Sequence, residues 1–264
     1  MNLALAGLLP GKNMAFYDGY HAATQVPAHE MLADLIEAED PPFDGVMGYS
    51  QGGSFAISFM IQHMIDHPGE PLPFRFAVFF SPGFCIAPDQ DYKHDEIMSF
   101  LGQFSQDDAD ALKATLLTRK TTKKPEEYDA IAKLDSRQKE LFFELMEEVQ
   151  VMFATRDVFH IEERDTPLDT MRPHDSFGKR DFPRFFNAVY TEQRLPIPTV
   201  HVYGTQDDPA PRHLAQIAQK LCDPDRVIVV ENPGVHEIPH RHPDVDNVAK
   251  AIEKAEYLSL VNVW

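Results

Sequence analysis

Two short stretches carry residue types able to do covalent or metal chemistry. The first is Gly48-Tyr49-Ser50-Gln51-Gly52, a G-x-S-x-G pattern, and the second is His236-Glu237-Ile238-Pro239-His240, which spells H-E-x-x-H. The second pattern holds zinc only when both histidines lie on one face of a helix with the glutamate between them as base. Pro239 sits inside it. Proline in a helix interior removes a hydrogen bond, clashes with the preceding turn and drives the residue before it, here Ile238, out of the α region. Pro233-Gly234 upstream and Pro243 downstream add turn signals. The run therefore reads as a loop with three histidines and no metal, with His240 and His242 solvated.

The serine pattern stands in a different context. It joins an apolar run at 43–49 to a helical pattern from Ser50 to about His67, with Ile57, Met60, Ile61 and Met64 at i, i+3, i+4 and i+7. A strand feeding a helix through G-x-S-x-G is what a nucleophile elbow requires: the serine occupies a strained turn and small flanking residues let strand and helix approach. The helix N-terminus then directs backbone N–H groups at the reaction centre, and Gln51 N–H is the expected oxyanion donor.

A serine hydroxyl is a weak nucleophile at neutral pH and needs a base oriented by a carboxylate. In α/β-hydrolases the three follow in the order serine, acid, histidine, each after a later strand. The strand-like run 199–203 leads directly to Asp207 and Asp208, either of which could equally be a turn-forming aspartate. The next such run, 226–231, leads through Asn232-Pro233-Gly234 to His236, the expected general base.

These groups need elements to hold them. Residues 14–18 read as a strand ending at Gly19, followed by a helix from Pro27 through Ala38 with Met31, Leu32, Leu35 and Ile36 on its apolar side. The continuous apolar run at 74–80 is typical of a strand buried on both faces. Helices are expected from about 211 to 221 and 244 to 257, the latter burying Val245, Val248, Ala249 and Ile252. Alternation of strand and helix predicts an α/β fold with a mostly parallel sheet flanked by helices. From about 89 to 193 the strand pattern stops and charge is dense. Asp107–Leu117 and a stripe of Leu141, Leu145, Val149 and Met152 suggest a helical cap inserted into one domain spanning 1–264.

The 264 residues, 43% hydrophobic and 25% charged, suit one soluble α/β domain. A formal charge of −18 disfavours nucleic acid or an anionic membrane as partner. Two cysteines, Cys85 and Cys222, in separate apolar segments suggest a reducing cytoplasmic setting. The opening MNLALAGLLPGK lacks a basic n-region and is too short to span a membrane.

Four stretches, FDGVMGYSQGG, FRFAVFFSPGF, PTVHVYGTQDD and GVHEIP, resemble the fungal serine hydrolase family, the α/β-hydrolases grouped with the yeast family-of-serine-hydrolases proteins. The resemblance covers about residues 14–84 and 195–258. It implies an α/β-hydrolase fold, no cofactor, and cleavage of an acyl ester or thioester, since polyketide-releasing thioesterases are members; the substrate could be carrier-bound. The family acid lies three residues after the strand-ending glycine, which from Gly204 selects Asp207, and the family histidine falls on His236. The family's opening strand and L-H-G-x-G loop, source of a second oxyanion donor, has no counterpart here. The expectation is either a start called too late or a shortened homologue with weak activity and an exposed sheet edge that favours a homodimer. A carboxylesterase or acyl-protein thioesterase, and a non-catalytic acyl-binding homologue, are the competing readings. Ser81–Ile86 and Phe182–Tyr190 are candidate acyl-site segments, with core packing the commoner role for such aromatics.

Overall fold

The computed structural model describes residues 22–96, 132–140 and 184–261, with Ser105, Asp107 and Phe143. The expected strand at 14–18, the stripe at 141–152 and nearly all of the helix expected at 107–117 lie outside the described residues.

Four parallel strands form the sheet: β1 (Gly45–Tyr49), β2 (Phe76–Phe80), β3 (Thr199–Gly204) and β4 (Val227–Asn232), in the spatial order β1-β2-β3-β4. Tyr49 pairs with Phe80, Phe80 with Val202, and Gly204 with Asn232, so the strands end together along one rim. The helices are α1 (Ala22–Ala38), α2 (Gln51–Asp66), α3 (Pro209–Gln219) and α4 (His242–Val261).

The strands alternate between two cores. Ala77 and Phe79 of β2 face one apolar cluster with Ile57, Met60 and Ile61 of α2 and Ala218 of α3. Val78 and Phe80 face the other, with Val200, Val202 and α4 residues Val248, Ala251 and Ala255. Each fully buried side chain of the size of Phe79 contributes about 1.5–3 kcal/mol relative to exposure. All six residues of β3 are buried, as expected for an inner parallel strand. Among the described residues β1 has one strand neighbour, and Met47 on it is 61% exposed.

Two expectations are corrected. Pro27 does not open α1 but lies inside it, the helix beginning at Ala22; a proline near the start of a helix forfeits one early hydrogen bond without ending it. The apolar side of α1 is also narrower than expected: Leu32 and Ile36 pack on the first core, while Met31 and Leu35 are exposed. On α4 the buried stripe is Val248, Ala251, Ala255 and Ser259, whereas Val245 and Ala249 are exposed. Small residues line this stripe and allow the helix close to the strands, so bulk misleads the periodicity reading.

Residues on either side of the long interval between β2 and β3 meet. Ile86 and Phe185 form an antiparallel bridge, Ala87 N–H donates to Arg184 O and Phe186 N–H to Cys85 O, each at 2.7 Å. Arg184, 1% exposed, donates from Nε to Gln90 O and from Nη2 to His94 Nδ1, both at 3.1 Å. Phe84 packs on Phe185 at 5.1 Å between centroids and Tyr92 on Phe186 at 5.0 Å. The aromatics of both candidate acyl-site segments that are described are buried in this packing.

Candidate active site

Ser50 stands between β1 and α2 with φ of +50°, in the left-handed region that an L side chain rarely adopts. The flanking glycines explain how the turn closes. A Cβ on Gly48 would lie 2.5 Å from Gly52 O and 2.6 Å from Gly53 Cα, so only glycine fits where strand and helix touch. Ser50 N–H donates to Phe80 O at 2.8 Å, which fixes the elbow to β2, while Ser50 O accepts from Gly53 and Ser54 N–H. Although Ser50 occupies the N-cap position of α2, its hydroxyl makes no capping bond. It lies instead 3.0 Å from His236 Nε2. Gln51 opens α2, so its N–H belongs to the first turn, whose amides point toward the end where Ser50 stands.

The loop after β3 brings Asp207, 6% exposed, to the same rim. Its Oδ2 is 2.8 Å from His236 Nδ1, and its Oδ1 accepts from Asp208 N–H at 2.8 Å. Asp208 is exposed and caps α3 without a side-chain bond. The two aspartates that the strand pattern alone leaves open are therefore distinguished by geometry. With the carboxylate on Nδ1, the imidazole carries its proton there and presents the Nε2 lone pair to the Ser50 hydroxyl.

His236 lies on a loop, not a helix, and His240 and His242 expose 66% and 89% of their side chains. Its loop is tied to β3 by Asn232, which is 4% exposed. Asn232 Nδ2 donates to Tyr203 O, its Oδ1 accepts from Gly234 N–H, and its backbone O accepts from Thr205 N–H. Gln206 N–H donates to Gly234 O at 3.0 Å, so the acid and histidine loops are joined directly. Neither Asn232 nor Tyr49, whose hydroxyl donates to His236 O at 2.6 Å, is singled out by sequence reasoning. An asparagine ending a strand before Pro-Gly is a side-chain turn signal that could have pointed to Asn232.

Gly204 is the tightest point of this junction. A Cβ there would fall 2.3 Å from both Gly234 O and Val235 O. Gly204→Ala is expected to push the histidine loop off the acid, lowering esterase turnover at least tenfold and stability by about 1–3 kcal/mol. Turnover and thermal midpoint within error of the parent would contradict it.

A cleft of about 390 Å³ between α1 and α2 includes His29, His63 and Asp66 in its lining but none of Ser50, Asp207 or His236. No cluster of histidine, cysteine or carboxylate groups suited to a metal ion occurs among the described residues.

A parallel sheet flanked by helices, with a serine on a sharp strand-to-helix turn at the carboxyl rim, defines an α/β-hydrolase. The sequence profile of the family described as "Serine hydrolase (FSH1)" matches residues 22–248, and this chain belongs to that family. Its relatives include "Esterase alnB" of Emericella nidulans, 28% identical over 98% of this chain and 83% of that protein. "Serine hydrolase cnsH" of Penicillium expansum is 24% identical over 93% and 90%, and "Hydrolase FUB4" of Gibberella moniliformis 27% over 92% and 78%. Among solved structures, the serine hydrolase involved in carbazole degradation (CarC enzyme) aligns with a TM-score of 0.39 at 15% identity, over 92% of this chain and 74% of that one. Membership of that family makes the chain an enzyme of the hydrolase class.

Proposed function

We propose that the chain cleaves acyl esters or thioesters through a covalent acyl-serine, with Ser50 as nucleophile, His236 as base and Asp207 as the orienting acid. The observation that carries this reading is the continuous relay of 3.0 Å from Ser50 Oγ to His236 Nε2 and 2.8 Å from His236 Nδ1 to Asp207 Oδ2. Ser50 Oγ attacks the acyl carbonyl while its proton passes to Nε2. The carbonyl oxygen becomes an oxyanion and takes a hydrogen bond from Gln51 N–H. As the tetrahedral adduct collapses, Nε2 returns the proton to the departing alkoxide or thiolate. Water then attacks the acyl-serine, loses its proton to Nε2, and the acid leaves as Ser50 is reprotonated.

Within this class, an acyl chain of the polyketide type, free or bound to a carrier, is the substrate that the family resemblance favours. The two thiols, Cys85 and Cys222, are both buried and neither forms a disulfide, in keeping with a cytoplasmic setting. A fluorophosphonate probe tests the nucleophile directly. The purified protein is expected to label at one site and to hydrolyse a p-nitrophenyl or acyl-thioester substrate, and Ser50→Ala to do neither. Labelling that persists in Ser50→Ala would remove the assignment; an unlabelled, inactive protein that binds an acyl ligand would make it a binding homologue.

A further inference from the structure

The motif G-x-S-x-G leaves its second position unspecified, and here that position holds a tyrosine whose side chain reaches across the rim to the histidine loop. Tyr49 ends β1 and is 8% exposed, with its ring in the core that α4 covers. Its hydroxyl donates to the backbone O of His236 at 2.6 Å, a bond spanning 187 residues of sequence. Its ring and the His236 imidazole have centroids 5.4 Å apart at 47°. Tyr49 thus joins two members of the relay: its backbone leads directly into Ser50, and its ring and hydroxyl meet His236.

We propose that Tyr49 is a positioning residue for hydrolysis, setting where the His236 imidazole stands relative to the Ser50 hydroxyl. The role rests on the reading of Ser50 and His236 given above and extends it to a residue beyond the relay. Packing alone does not call for the hydroxyl. A phenylalanine would fill the same apolar volume, whereas a buried hydroxyl must find a partner or cost stability. The partner it finds is the backbone of the residue whose placement the chemistry most depends on. Burial first, then the charges of Asp207 and Glu237, hold the phenol well above its ordinary titration range, so it remains a donor wherever the protein is folded. The aromatic ring adds a second contribution, because a cation within about 6 Å of a π-face is favoured and the imidazole becomes cationic only as Ser50 attacks. The two can be separated, since Tyr49→Phe removes the hydroxyl and keeps the ring.

The test uses the full chain, with every rate normalised to sites titrated by a fluorophosphonate probe, so that misfolded protein is not counted. Ser50→Ala comes first: hydrolysis surviving there would overturn the reading of the relay itself, independently of Tyr49. With Ser50-dependent hydrolysis in hand, Tyr49→Phe is expected to lower kcat about tenfold with KM within about twofold, and to slow probe labelling to a similar extent. A per-site kcat for Tyr49→Phe within twofold of the parent would overturn the proposal, as would a loss confined to KM.

Discussion

Asp207→Asn is expected to lower turnover of an ester substrate about 10⁴-fold while leaving the fold and the position of Ser50 unchanged. The argument is one of tautomers. Asp207 Oδ2 accepts the Nδ1 proton of His236, which leaves Nε2 as the lone-pair end facing Ser50 Oγ. An amide can present its NH₂ to Nδ1, which favours the proton on Nε2 and turns the base into a donor. The Asp208 N–H would still find an acceptor in the amide oxygen, so the loop after β3 has no reason to rearrange. Asp208→Asn, by contrast, should leave turnover nearly unchanged, since that side chain is exposed and takes no part in the relay. Steady-state kinetics of the two variants side by side decide the matter. Equal effects would mean that the choice of acid is wrong.

A second large effect is expected in acid. His201 is fully buried on β3, its Nε2 lies 3.2 Å from Thr199 Oγ1 and 3.5 Å from Cys222 Sγ, and its Nδ1 has no partner among the described residues. Burial lowers its pKa from 6.5 to about 3. His29, packed against Phe55 and Phe59, is lowered to about 4, again mainly by burial, with Asp66 opposing. Both imidazoles stay neutral in the folded chain under conditions that protonate them in the unfolded chain. Their contribution is therefore complete above pH 6.5 and is lost as pH falls toward 3 for His201 and 4 for His29. His201, the more deeply buried of the two, should supply the larger share of this dependence. Urea unfolding between pH 7 and 4 should show a steep decline, and His201→Leu should flatten it. A slope identical in the two proteins would show that His201 protonates without unfolding the chain.

How much of this was legible in the amino-acid order depends on the range of each interaction. The elbow is local: Gly48, Ser50 and Gly53 lie within six residues, and the strand before them and the helix after them announce the turn. The strand runs are local too, and β1 to β4 fall within a few residues of the expected spans. The helices are less faithful, because burial on α1 and α4 is decided by what they pack against. Nothing near Val245 signals that the sheet sits closer to Ala251 and Ala255. The relay contacts span 29 and 186 residues, and only the order of motifs, matched to a known family, could join them. Tyr49 and Asn232 escape for the same reason: their roles exist only in bonds to distant backbone.

The placement of the proposed nucleophile, Ser50, early and its proposed base, His236, late has a temporal consequence. While the polypeptide is being synthesised, Ser50 emerges long before His236 and the asparagine clamp that seats it. On the proposed relay, the nascent molecule would carry an ordinary serine until that final portion docks, and reactivity toward acyl compounds would arrive only once β4 and the loop after it are in place.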